Sequence, residues 1–149
     1  MNKSIICALF LICAAVTPNA IAATSQCTQA QAIAAENESS SAESWLSLYK
    51  SFNSFEHCDD GAIAEGYSEA VARLFTLEWR SFHVMRNYVR KNKRFERFLL
   101  RHIDGSWSIK QVEIVTEHAK QRCLYKDRQF CAQILHELGG LINILEFVR

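Results

Sequence analysis

The chain has 149 residues, 22% of them charged and 49% hydrophobic, with a formal net charge of +1. That length supports one domain with a single core. The near balance of 17 bases against 16 acids argues against a general nucleic-acid binder, which carries a strong positive excess.

Residues 1–22 have the layout of a secretory signal peptide: Lys3, the apolar run Ile5 to Val16, and the small-residue exit Ala20-Ile21-Ala22. The run is shorter than the roughly 20 apolar residues that span a bilayer, so no stable membrane span is expected. Cleavage is expected after Ala22, with Ala23 as the alternative site. A lipid anchor on Cys13 is the competing reading, disfavoured by Ile12 just before it and by the truncated apolar run. The expected location is the periplasm or the exterior. The remaining 127 residues keep 16 bases and 16 acids, since the leader holds Lys3 and no acid. Cys27, Cys58, Cys123 and Cys131 also remain. An even count in an exported chain favours disulfides, and four cysteines allow three pairings. The short connection bracketed by Cys123 and Cys131 favours a local staple there, with Cys27–Cys58 as its complement. Zinc is the alternative, without a C-x-x-C to support it.

In chain order, residues 23–40 are small and polar and read as a loosely ordered arm with at most a short Ala-rich helix, tied down if Cys27 is bridged. A single helical domain is expected over 41–149. Ser40-Ser41-Ala42-Glu43 matches a capping box, followed by Trp45, Leu48, Tyr49, Phe52 and Phe55 at helical spacing. Cys58-Asp59-Asp60-Gly61 breaks the pattern, and an Asp there can cap a helix whose apolar face is Ile63, Tyr67, Val71, Leu74 and Phe75. Trp79, Phe82, Met85 and Val89 continue the period past a possible kink. Lys91-Asn92-Lys93 precedes a short helix with Phe95, Phe98, Leu99 and Ile103. His102 to Ser106 reads as a turn. Ser108 to Gln111 is a second capping-box match, opening a helix with Val112, Val115 and Ala119. The last helix starts near Asp127 and carries Phe130, Ile134, Leu135 and Leu138, with Gly139-Gly140 expected to bend or end it. No strand alternation follows the leader. The expected fold is all-α, a compact, disulfide-stapled bundle of five or six helices.

The densest polar cluster is His57-Cys58-Asp59-Asp60-Gly61 with Glu65 and Glu69. Two chemistries fit it. A divalent metal or a positioned base can use His57, Asp59, Asp60 and Glu65; helix capping with acids at a helix N-terminus is the structural alternative and the favoured one. Known metal spacings and hydrolase motifs are absent from the sequence, so no cofactor and no catalytic residue is assigned. Adjacent His57 and Cys58 point different ways on a helix, which disfavours a His-activated thiol. His102 and Asp104 are read as holding the turn. Residues 36–69 carry eight acids and Lys50 alone among bases; residues 80–101 carry eight bases and Glu96 alone among acids. The two blocks either pack together or steer a charged partner. Trp107, between two helices, is read as a staple over a helix start, with a partner-contact anchor as the alternative.

In overall layout residues 1–149 resemble the small periplasmic all-α immunity proteins of type VI secretion amidase effectors, and the stretch Cys58-Asp59-Asp60-Gly61-Ala62-Ile63-Ala64-Glu65-Gly66 has the character of a family signature. The resemblance implies an exported helical protein, often cystine-bearing and often dimeric, that plugs a cell-wall-degrading toxin and is not an enzyme. It transfers no inhibitory residue by motif. The candidate binding residues are therefore those at the helical breaks: Asp59, Asp60, Gly61, Glu65 and Trp107. The expected partner is a protein of the cell envelope. A small envelope hydrolase or metal-binding protein built on His57, Asp59, Asp60 and Glu65 is the other class.

Overall fold

The computed structural model describes residues 26–147; the expected leader, its cleavage site and Cys13 lie outside them. Seven helices occupy almost all of this span: α1 (Gln29–Ser40), α2 (Trp45–Phe55), α3 (Gly61–Leu77), α4 (Phe82–Lys91), α5 (Lys93–Arg101), α6 (Ile109–Gln121) and α7 (Arg128–Phe147). Among the described residues there is no strand, and no helix is long and apolar enough to cross a membrane. The aromatic and aliphatic positions that repeat at helical spacing are the ones that turn inward. Trp45, Leu48, Phe52, Tyr67, Phe75, Phe95 and Phe98 are all under 3% exposed. Their rings meet at centroid distances near 5 Å: Trp45 with Phe75, Phe52 with Phe95 and Phe98, and Tyr67 with Phe98. Edge and tilted contacts of this kind add to the area they bury. Helix α3 packs against α1 and α6; α5 touches α4 and α7.

Three boundaries differ from the sequence reading. Residues 29–40 form a regular helix, so the short Ala-rich helix allowed for in the arm takes up most of it. Thr28 caps it through a box with Gln31, Ala35 and Ser39 are fully buried, and the Cys27–Cys58 bond ties its start to the 3-10 turn that follows α2. Its inward face is made of Ala and Ser, small enough for α1 to lie close against α3 at Gly66. A Cβ at Gly66 would stand 2.5 Å from Ser39 Oγ. Second, the capping box is not at Ser40–Glu43. Ser40 belongs to α1, and α2 is capped by Ser44, whose hydroxyl accepts from the Ser47 amide while the Ser47 hydroxyl accepts from the Ser44 amide. Arg73 donates to the carbonyls of Ser40 and Ala42 and fixes this corner. Third, α7 runs through Gly139-Gly140 without ending, because Leu138 and Leu141 on either side are buried and the packing outweighs glycine's poor helix propensity.

Both cystines have the expected pairing, Cys27–Cys58 and Cys123–Cys131. Such bonds are characteristic of oxidising compartments, and these four cysteines, once paired, offer neither a thiol nucleophile nor a thiolate zinc ligand.

Candidate functional site

Helix α3 begins at a turn that only glycine fits well. Asp60 is its N-cap, with Oδ1 accepting from the Gly61 amide at 2.8 Å, and Gly61 has φ +52°, in the left-handed region. Asp60, Gly61 and Glu65 are exposed, as is His57. Asp59 is not: its side chain is 3% exposed and points into the protein. The residues that sequence reasoning grouped as a metal or base cluster therefore divide between inside and outside. Among the described residues no group of three or more His, Cys, Asp or Glu side chains is gathered to hold a metal.

Asp59 joins a different assembly. Its Oδ2 accepts from Arg101, at the end of α5, and lies 3.0 Å from His102 Nε2. The other ring nitrogen, Nδ1, is 2.9 Å from the Ser68 hydroxyl on α3. Ser68 donates in turn to Asp104 Oδ2 at 2.5 Å. Asp104 Oδ1 accepts from both the amide and the hydroxyl of Ser106. One imidazole, 3% exposed, thus links the turn at residues 58–61 to the turn at residues 104–107. Trp107 closes the second turn from beneath: it is 3% exposed and its Nε1 donates to the His102 carbonyl at 2.8 Å. This burial favours the reading as a staple over that as a partner-contact anchor, since little of the indole is left to touch a partner. Phe98 packs against the imidazole, its ring centroid 4.5 Å from that of His102.

Burial alone would raise the Asp59 carboxyl; the hydrogen bond and charge of His102, with the Arg101 guanidinium, outweigh it and hold the group below its ordinary value. Asp104 is likewise lowered: burial pushes up, and the donors at Ser106 and Ser68 with the nearby His102 pull further down. Both carboxylates are therefore kept ionised as acceptors. Tyr67, beside His102, is pushed up to about 12 by burial, and its hydroxyl pairs with Ser51 at 2.8 Å.

Ser68, His102 and Asp59 are in serine–histidine–aspartate contact, and sequence reasoning had not named Ser68. The order resembles a hydrolytic triad, but a nucleophile must reach its substrate. Ser68 is 2% exposed and gives its proton to Asp104. Its chemistry here is positioning. The only sequence signal for it is a serine on the apolar face of α3, one residue after Tyr67, and on its own that is too weak to single it out.

The two charge blocks meet in part. Glu56 pairs with Arg94 and Asp59 with Arg101, joining acidic to basic segment across the fold. Glu36, Glu38, Asp60 and Glu65 remain on the surface, as do Arg80, Lys91 and Arg97. Compared with family models, with curated proteins and with solved structures, the chain finds no match in any of the three.

Proposed function

We propose that this chain is an exported protein-binding module of the cell envelope, an immunity-type inhibitor that occludes a cell-wall-degrading effector. One observation supports the reading above the others: two separate turns, 58–61 and 104–107, are locked to each other through the largely buried Asp59–His102–Ser68–Asp104 chain. The outcome is a fixed edge displaying His57, Asp60, Gly61, Gly105 and Ser106. A binder that enters a cleft gains from such pre-organisation, because less freedom is lost on association. The exposed acids at and near this edge would orient a basic cleft and speed encounter. Occlusion in this account is steric and electrostatic, with no covalent step.

The test is capture from periplasmic extract with cross-linking, using a strain that holds the chain's own neighbouring genes. A specific envelope protein recovered at near-equal stoichiometry supports the proposal. Recovery of no specific protein rejects it.

A further inference from the structure

A second surface lies outside that edge. Between α6 and α7, residues 122–128 present Leu124 at 54% exposure and Tyr125 at 82%. Large apolar side chains on a connection commonly mean a mobile loop or a contact surface. This loop is pinned. The Cys123–Cys131 bond closes it. Asp127, 1% exposed, accepts from Arg86 Nε at 3.0 Å, and the Arg86 guanidinium lies over the Phe130 ring at 4.5 Å. The backbone under Leu124 and Tyr125 is thus held on three sides, and Arg128 stacks on the Tyr125 ring at 4.9 Å.

The charge around it is one-sided. Lys120, Arg122, Lys126 and Arg128 are exposed, and none of them is in an ion pair among the described residues. The one acid within 120–128, Asp127, faces inward to Arg86. Beside the loop runs a groove of about 530 Å³ between the two helices, walled by Ala119, Ala132 and Leu135 together with Lys120, Gln121 and Arg128. A fixed tyrosine and arginine beside a groove of mixed polar and apolar lining are the composition of an interface hot spot.

We propose that the stapled 122–128 loop and the α6–α7 groove dock an acidic segment of a partner protein. The partner sets apolar side chains against Leu124, Tyr125 and Leu135, and its carboxylates against the four cations. This rests on the protein-binding reading above and gives it a second contact surface with a defined partner chemistry. An anionic membrane would meet the same cations, but Leu124 and Tyr125 sit on a short cystine-closed connection beside a recess between helices, not along an amphipathic helix face, which fits a chain segment better.

The experiment uses the full chain and a fluorescein-labelled helical peptide of glutamates with leucines three and four apart, which puts the leucines on one face. Its isomer of equal composition with scattered leucines is the control, alongside vesicles of phosphatidylglycerol and phosphatidylcholine. The expected result is binding of the first peptide about tenfold tighter than its isomer, a loss of about tenfold in Leu124→Ser/Tyr125→Ser, and a shallower salt dependence in Lys126→Glu/Arg128→Glu. Equal binding of the two peptides, indifference to these surface substitutions, or binding to vesicles in place of peptide would overturn it. Capture of an envelope partner that persists undiminished in Leu124→Ser/Tyr125→Ser removes this surface and leaves the binding reading standing; loss of all specific capture by the wild-type chain removes the reading itself.

Discussion

Replacing His102 by leucine removes the centre of the buried network while keeping a side chain of similar bulk among Phe98, Tyr67 and Trp107. Asp59 then loses its Nε2 partner, and its Oδ1 already has no hydrogen-bond partner among the described residues. Ser68 loses Nδ1 but keeps Asp104. Leaving a buried carboxylate short of a hydrogen-bond donor costs roughly 3 kcal/mol or more. Arg101 still reaches Asp59 from an exposed position, and the leucine recovers some apolar contact, so the net cost falls to roughly 2–3 kcal/mol. For a fold of this size that lowers Tm by roughly 10 °C. His102→Gln, which keeps one donor toward Asp59, should cost less. In a double-mutant cycle with Asp59→Asn the two changes should couple by about 1–2 kcal/mol, because both remove the same contact. Thermal and urea unfolding followed by far-UV circular dichroism measure all four proteins. A His102→Leu cost below about 0.5 kcal/mol, or strict additivity with Asp59→Asn, would refute the claim that this imidazole ties the two turns together.

Other consequences are equally direct. Gly66→Ala should destabilise by about 1 kcal/mol although alanine is the better helix former, since the added Cβ meets the buried Ser39 hydroxyl at 2.5 Å; the addition of Ser39→Ala should recover part of the loss, and a stabilised Gly66→Ala would show that α1 is free to move away. Asp59 and Asp104 have lowered folded values, so the stability they contribute is fully present above the ordinary carboxylate value of 3.8 and is lost as pH falls through the lower folded values. An acid titration by circular dichroism should therefore lose its steepness below about pH 4 in Asp59→Asn/Asp104→Asn, and an unchanged profile would contradict this. Opening Cys27–Cys58, which spans 31 residues, should cost roughly 1 kcal/mol more than opening Cys123–Cys131, which spans 8; paired Cys→Ser variants compared by Tm read the order, and a reversed order would count against loop closure as the dominant effect.

The sequence carried the outline of α2 to α6 because each has apolar residues at a clear helical period and a polar break on either side. The cystine pairing was legible for a related reason, since two cysteines flanking one short connection leave little choice. Helix α1 was legible only as a short Ala-rich stretch within a loose arm. Its buried side is Ala35 and Ser39, which contribute almost no periodic contrast, and its place in the fold depends on the distant Gly66 and on Cys58. The network was legible only as fragments. Asp59, His102 and Asp104 each stood out as polar residues near a break, but a sequence does not say that Asp59 turns in while its neighbour Asp60 turns out. That choice is made by the glycine turn at Gly61 and by Arg101 and His102 arriving from a helix 42 and 43 positions away. Trp107 could be read either way until its burial was known.

The edge formed by the two locked turns is the surface a partner should grip. Gly105 is exposed, with nothing within 4 Å of a Cβ added there, so Gly105→Arg should leave the fold intact while blocking the edge. Cross-linked capture from periplasmic extract, run side by side with wild type and Gly105→Arg of matched Tm, is the measurement. The prediction is one specific envelope protein captured by wild type and reduced at least about tenfold by Gly105→Arg. Undiminished capture by Gly105→Arg, or no specific protein captured by wild type, would contradict it.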